Sequence, residues 1–177
     1  MKKELDLATF IELTTVRLIL RQLKATDDNE IFKLRSDEHI NQYLDRPKDT
    51  SIEESRQFII RINNGIKENK SFYWAITFKE YPQLIGTICL WNLSEDKKSI
   101  ELGYELNQKF QGQGIMSEAI KKVIEFAFEN IGVTTIEAYT HKDNLKSAFL
   151  LLKNNFSIDS TRKDKDNINN AIFILKK

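Results

Sequence analysis

The stretch Gln111-Gly112-Gln113-Gly114-Ile115-Met116-Ser117-Glu118-Ala119 decides how this chain is read. The strand-like run Ile100-Glu101-Leu102-Gly103-Tyr104-Glu105-Leu106 precedes it, and a helix with an apolar stripe follows. Two glycines two residues apart at the mouth of a helix allow a tight turn and leave bare N–H groups. With the positive end of the helix dipole, those donors suit a phosphate. A generic phosphate- or nucleotide-binding domain is therefore one reading. Two familiar phosphate loops fail. A P-loop needs Gly-Lys and then Ser or Thr after a four-residue gap, and a dinucleotide fingerprint needs glycine or alanine where Ser117 stands.

Outward from the loop, the pattern resolves into elements. Met116, Ala119, Ile120, Val123, Ile124 and Ala127 recur at steps of three and four, predicting a buried helix face with Lys121, Lys122, Glu125 and Glu129 outward. Val16 to Leu23 alternates as a strand, with Leu18 and Leu20 opposing Arg17, Ile19 and Arg21. Thr26-Asp27-Asp28 supplies cap candidates for a helix through Ile31, Phe32 and Leu34. A second helix starts near Ser51, with Glu54 at capping-box spacing and Phe58, Ile59, Ile62 and Ile66 on one stripe. Phe72–Phe78, Leu84–Leu93 and Ile100–Leu106 read as a meander of antiparallel strands. Thr134–Thr140 is a strand, Leu145–Asn154 a helix, and Phe156–Ile158 with Ala171–Leu175 a closing hairpin. The order β-α-α-β-β-β-α-β-α-β-β describes an α+β domain with a mixed central sheet, an antiparallel meander followed by a βαβ unit.

Composition narrows the function. At 177 residues the chain fits one domain, 1–177, with residues 1–14 as an N-terminal arm. Lysine and arginine total 27 against 26 acids, a net charge of +1, so nothing pulls the whole molecule toward nucleic acid or membrane. Without a long apolar run or signal-peptide pattern, a soluble cytoplasmic protein is expected. Cys89 has no internal partner and lies in the run Leu84–Trp91, where an inert buried thiol is expected. His39 and His141 are the only histidines, so no metal site is expected.

The loop resembles the pyrophosphate-binding motif of the GNAT N-acetyltransferase superfamily, Gln/Arg-x-x-Gly-x-Gly/Ala. Gln111 and Gly114 match it, and Met116 replaces the usual final small residue. The variant Gln-Gly-Gln-Gly-Ile-Met-Ser is similar to the branch that acetylates ribosomal-protein N-termini. The resemblance extends over nearly the whole chain from Val16, and it implies the GNAT fold, with a splayed strand pair holding acetyl-CoA as co-substrate. It further implies cofactor contacts from Gln111, Gly112, Gln113, Gly114, Ile115, Met116 and Ser117, and from the strand edge at Glu105, Leu106 and Asn107. The Leu106 N–H would be the oxyanion donor.

Downstream, Asn144 matches an asparagine that contacts the pantetheine arm in the family. The tyrosine that many members carry seven residues later is Leu151 here. In the ribosomal-protein branch a serine three residues after the asparagine takes its place as acid for the thiolate, which implicates Ser147. The alternative is that Asn144 merely caps its helix and Ser147 lies exposed on the first turn. Asn155 stands where the family has glycine, in a backbone region asparagine tolerates.

Direct acetyl transfer asks for a held thioester, a neutral amine, an oxyanion donor and an acid for the thiolate. Glu101, Gly103 and Glu105 share one strand face, and Glu101 is the candidate general base, with water as the alternative. An α-amine, with a pKa of about 8, keeps a useful neutral fraction near neutral pH, whereas a lysine amine costs about 4 kcal/mol to deprotonate at pH ~7.5. That difference suits an α-amine or an amine of already lowered pKa, and the resemblance implies a protein N-terminal α-amine, such as that of a ribosomal protein, as the acceptor. A small-molecule amine (amino acid, antibiotic or polyamine) and a non-catalytic acyl-CoA-binding module are the alternatives. Among partners, a homodimer stays open.

Overall fold

The computed structural model describes residues 10–177. The expected N-terminal arm falls largely on residues 1–9, outside the described residues. Eight strands follow along the chain: β1 (Leu13–Thr14), β2 (Leu18–Arg21), β3 (Ser71–Phe78), β4 (Gly86–Trp91), β5 (Ser99–Leu106), β6 (Thr135–His141), β7 (Ser157–Ile158) and β8 (Asn170–Lys176). Five helices are interleaved with them: α1 (Asp28–Ser36), α2 (Glu38–Asn41), α3 (Ile52–Lys67), α4 (Ile115–Phe126) and α5 (Leu145–Lys153). The strands form one mixed sheet in the order β1-β2-β3-β4-β5-β6-β8-β7. Among the described elements, β1 and the single-turn α2 are those the sequence pattern did not reveal. Both are too short to display a period.

Helices cover both faces of the sheet. Leu18, Leu20, Trp74, Ile76, Ile88, Leu90, Ile100 and Leu102 pack one face against Ile115, Ala119, Ile120, Val123 and Phe126 of α4 and Leu151 of α5. Tyr73 and Ala75 pack the other against Ile31 and Leu34 of α1 and Phe58, Ile59 and Ile66 of α3. The period-two alternation of β3 to β6 therefore assigns each side chain to the α4–α5 face or the α1–α3 face.

Two expected caps take other partners. Asp27, a cap candidate, instead receives both Nη atoms of Arg21 at 2.7 Å and the Lys24 N–H at 2.8 Å. Arg21, assigned by alternation to the polar side of its strand, is thereby only 8% exposed. At α3 the Ser51 hydroxyl accepts from the Glu54 N–H, and the Glu54 carboxylate reaches back one residue further than a standard capping box, to the Thr50 N–H at 2.7 Å.

The feature that creates the site is a parting of strands. β4 and β5 pair without a break from Gly86↔Leu106 to Trp91↔Glu101. β5 and β6 run parallel and pair only at Ser99↔Thr135, Ile100↔Ile136 and Glu101↔Glu137. Beyond Glu101 the two strands diverge, and the upper half of β5 has no neighbour on that side. Just past the end of α5 and its cap Asn154, Asn155 adopts a φ of 67°, in the left-handed region that asparagine tolerates.

The segment between α2 and α3 is tied down by charge. Arg35 donates to the Asp49 carboxylate at 2.9 and 3.0 Å, Ser55 adds a third bond at 2.7 Å, and the guanidinium lies 4.1 Å from the Phe58 ring centre. Removing one partner strands a buried charge, at a cost of roughly 3–5 kcal/mol. Asp49→Ala should lose stability of that order in urea unfolding. A loss below about 1 kcal/mol would show that the Arg35 cation escapes to water.

Candidate active site

The glycine loop begins at the end of β5. Asn107 to Gln111 form a short 3₁₀ turn, and the Gln111 side chain returns to donate to the Leu106 carbonyl at 3.0 Å. Gly112 and Gly114 both adopt φ +74°, a conformation that side chains resist. A Cβ at Gly112 would meet no protein atom within 4 Å, and one at Gly114 only Arg17 Nη2 at 3.8 Å. The glycines thus serve the turn and leave open space before the helix.

The first backbone bond of α4 runs from the Glu118 N–H to the Gly114 carbonyl at 3.0 Å. The N–H groups of Ile115, Met116 and Ser117 precede it and have no intrahelical acceptor. With the helix dipole behind them they form a cradle for a pyrophosphate. Met116 does not obstruct it, because its side chain is buried in the core. The Ser117 hydroxyl likewise points inward and bonds Asn154 Oδ1 at 3.1 Å, tying α4 to the end of α5, so Ser117 offers a ligand only its backbone.

The edge of β5 follows from the ladder. The Asn107 N–H donates to the Ile85 carbonyl at 2.9 Å, and the Thr135 N–H of β6 donates to the Lys98 carbonyl at 3.0 Å. With unbroken register, odd-numbered residues of β5 direct their backbone groups to β4 and even-numbered ones to the β6 side. The N–H groups of Tyr104 and Leu106 therefore face the gap where β6 has parted. Glu105 and Asn107 require correction: their N–H groups are directed to β4 and are taken up by the sheet. The Glu105 side chain is buried as well, accepting from Arg46 at 2.6 Å and Thr87 at 3.2 Å.

Across the gap stands the start of α5. Asn144 Oδ1 accepts from the Ser147 N–H at 3.1 Å, so the capping role is realised, and its Nδ2 group remains as a donor for a ligand. Ser147 is not an idle first-turn residue. Its hydroxyl lies 2.8 Å from the Tyr104 phenol oxygen. Burial pushes the Tyr104 phenol up to about 12, with the serine bond pulling the other way, so it stays protonated at neutral pH, and either hydroxyl can donate in the pair. Leu151 is fully buried in the core and carries no hydroxyl. Sequence reasoning missed Tyr104. The signal was its polar tip on the otherwise apolar even-numbered face of β5.

Glu101 lies on the opposite face at the last paired position, where the gap opens. Burial first, then the carboxylates of Asp164, Glu137 and Asp166, raise it from 4.5 to about 7, against a hydrogen bond with Asn92. A cleft of about 230 Å³ opens beside it, lined by Asn92, Ser94, Ser99, Ile100, Glu101, Glu137 and Tyr139. Glu137 is held by Arg162 at 2.9 Å and by the Tyr139 hydroxyl at 2.8 Å. Trp91, Glu101's cross-strand partner, is 47% exposed and does not fill the core, unlike Trp74. The His141 ring lies tilted by 31° against Tyr43, its centre 5.5 Å away. Cys89 lies on this face, but burial raises its thiol to about 12 and leaves it inert, as its apolar run suggested.

The helix-mouth cradle runs on into the parted strand edge, with Tyr104 and Ser147 on one face and Glu101 on the other, an arrangement that suits an extended phosphorylated ligand. The family comparison agrees. A model described as an acetyltransferase (GNAT) domain matches residues 17–157, and the chain belongs to that family. It is an N-acetyltransferase, and acetyl-CoA is its co-substrate. It is 33% identical over 144 residues to the uncharacterized N-acetyltransferase YoaA of Bacillus subtilis, covering 81% of each chain. Against the ribosomal-protein-serine acetyltransferase of Escherichia coli it is 26% identical, covering 75% of this chain and 73% of the other. The solved structure of the ribosomal L7/L12 alpha-N-protein acetyltransferase RimL with coenzyme A superposes with a TM-score of 0.80 at 19% identity, covering 94% and 98% of the two chains. Among the described residues, no helix is long and apolar enough to cross a membrane.

The cradle makes a specific demand on Gly114. Gly114→Val should raise the acetyl-CoA KM at least tenfold and abolish the thermal stabilisation that saturating acetyl-CoA gives the unaltered protein. An unchanged KM would place the pyrophosphate elsewhere.

Proposed function

We propose that this enzyme acetylates a protein N-terminal α-amine, such as that of a ribosomal protein, by direct transfer from acetyl-CoA. The observation that carries this reading is Glu101, a carboxylate near pKa 7 at the point where the strands part and beside an open cleft. In this reading the pyrophosphate sits on the N–H groups from Gln113 to Ser117, and the pantetheine arm lies along Tyr104 and Leu106 in the gap. The Leu106 N–H receives the carbonyl oxygen as charge develops on it. Glu101 takes the amine proton, and Ser147 supplies one to the departing sulfur. No residue here needs to become acylated, since the inert Cys89 leaves no convincing nucleophile.

The similarity to a ribosomal-protein-serine acetyltransferase supports the protein acceptor. A base near pKa 7 also matches an α-amine of pKa about 8 better than a lysine side chain near 10.4. A small cationic amine is the second reading, favoured by the cleft's size and by the acids gathered around Glu101. Cell extract incubated with isotopically labelled acetyl-CoA and this enzyme separates the two. Label on protein N-termini supports the first reading, and label confined to small metabolites overturns it.

The raised Glu101 pKa carries its own signs. The working base is the ionised form, so kcat/KM should climb as pH rises through about 7. Glu101→Gln should cost about 10²-fold near pH 6.5 and partly recover above pH 8, where the amine deprotonates unaided. Stability runs the other way. The folded state holds a proton that the unfolded chain releases between about 4.5 and 7, so this residue lowers stability as pH rises across that window. Glu101→Gln should therefore raise the melting temperature at pH 8 and leave it unchanged at pH 4. Full kcat at every pH would assign the proton to water.

A further inference from the structure

Ser147, as the acid of the preceding reading, has a difficulty of its own. An aliphatic alcohol is a poor proton donor, and its hydroxyl rotates freely unless something fixes it. The Tyr104 phenol oxygen lies 2.8 Å from it, reaching from the middle of β5 to the first turn of α5 across the mouth of the gap. Around it, Ile100, Leu102 and Leu106 make this face of the strand apolar, so the phenol finds its partner in Ser147 rather than in water. Either hydroxyl can donate in this pair, and in the arrangement proposed below the phenol, the stronger acid, donates and the serine oxygen accepts. A serine whose lone pair is so occupied must turn its own proton elsewhere. The backbone N–H groups of Tyr104 and Leu106 line the same gap, which is the direction left open.

We propose that Tyr104 is the positioning residue of the thiolate-protonating step, orienting Ser147 and backing its proton. As the carbon–sulfur bond breaks, its electron pair stays on sulfur. The Ser147 proton moves to that sulfur while the phenol proton moves toward the serine oxygen. The amine's surplus proton leaves through Glu101 to water, and water returns one proton through Ser147 to the phenol oxygen, so charge balances over the cycle. A strand tyrosine thus provides, through a serine, the phenolic proton that Leu151 cannot.

The inference rests on Ser147 acting as the acid, and the test separates the two claims. Thiol release is followed for Tyr104→Phe, Ser147→Ala and the double variant, with water and with a serine-started peptide as acceptors. The reaction is repeated with the acetyl selenoester of coenzyme A, whose selenolate leaves without a proton. Tyr104→Phe should lower kcat about tenfold, leave the acetyl-CoA KM unchanged, and lose little on the selenoester. In the Ser147→Ala background it should cost nothing more, because the two hydroxyls act as one unit. Equal losses on thioester and selenoester, or independent losses in the double variant, would make Tyr104 a core residue only and overturn the proposal. Full kcat in Ser147→Ala would overturn the reading beneath it. Release to water but not to the peptide would count against the protein acceptor alone, with the hydroxyl pair still judged on the water reaction.

Discussion

Everything in this site depends on two neighbouring parallel strands parting inside a sheet. An inner strand that loses its neighbour exposes N–H and C=O groups that must be satisfied, and unpaired buried groups cost free energy. The arrangement is tolerable because each strand is secured from its far side. β5 keeps an unbroken ladder with β4 from Gly86↔Leu106 to Trp91↔Glu101, and β6 keeps one with β8 from Thr135↔Lys176 to His141↔Asn170. The gap is thus held open by its walls. It needs something extended, with alternating amide donors and acceptors, to lie in it, and a pantetheine arm is such a chain.

The two-residue period of β5 then divides the labour. Even positions point their side chains to the α4–α5 face, where the cradle and the Tyr104–Ser147 pair lie. Odd positions point to the α1–α3 face, where Glu101 stands beside the cleft and Glu105 anchors Arg46. Tyr104 and Ser147 therefore lie on the opposite side of the sheet from Glu101. Separation preserves the character of each. A buried phenol stays protonated, and a carboxylate surrounded by other carboxylates stays near neutral poise, without the two exchanging a proton directly.

The fold was legible because its signals are local. Turn glycines, a three-and-four stripe from Met116 to Ala127, and alternation in β3 to β6 each survive inspection of a few residues. The cradle was legible for the same reason. What stayed hidden joins residues far apart in sequence: Tyr104 with Ser147, Arg46 with Glu105, Arg17 with Glu118, Asp49 with Arg35. Ladder direction was also invisible. Alternation tells which face a side chain takes, but not which neighbour its backbone addresses. The Glu105 and Asn107 N–H groups therefore address β4, while that of Leu106 faces the gap. Asp27 misled for a related reason, since the same carboxylate that caps helices also serves a buried arginine.

Local fields matter here more than the net charge of +1. The Arg17 guanidinium lies beside the loop, donating to the Gln113 carbonyl at 3.3 Å, yet its charge is matched by Glu118 at 2.7 Å, which also receives the Thr15 hydroxyl at 2.6 Å. That cluster pins the first turn of α4 to the start of β2 and fixes where the orphan N–H groups point. The pull on a phosphate at this loop therefore comes mainly from oriented backbone dipoles rather than from a free cation. On the other face Glu137, Asp164 and Asp166 gather around Glu101, with Arg162 bound to Glu137 at 2.9 Å. An amine must shed its proton to react, and Glu101, raised to about 7 by burial first and by these neighbouring carboxylates second, is the group we propose to take it.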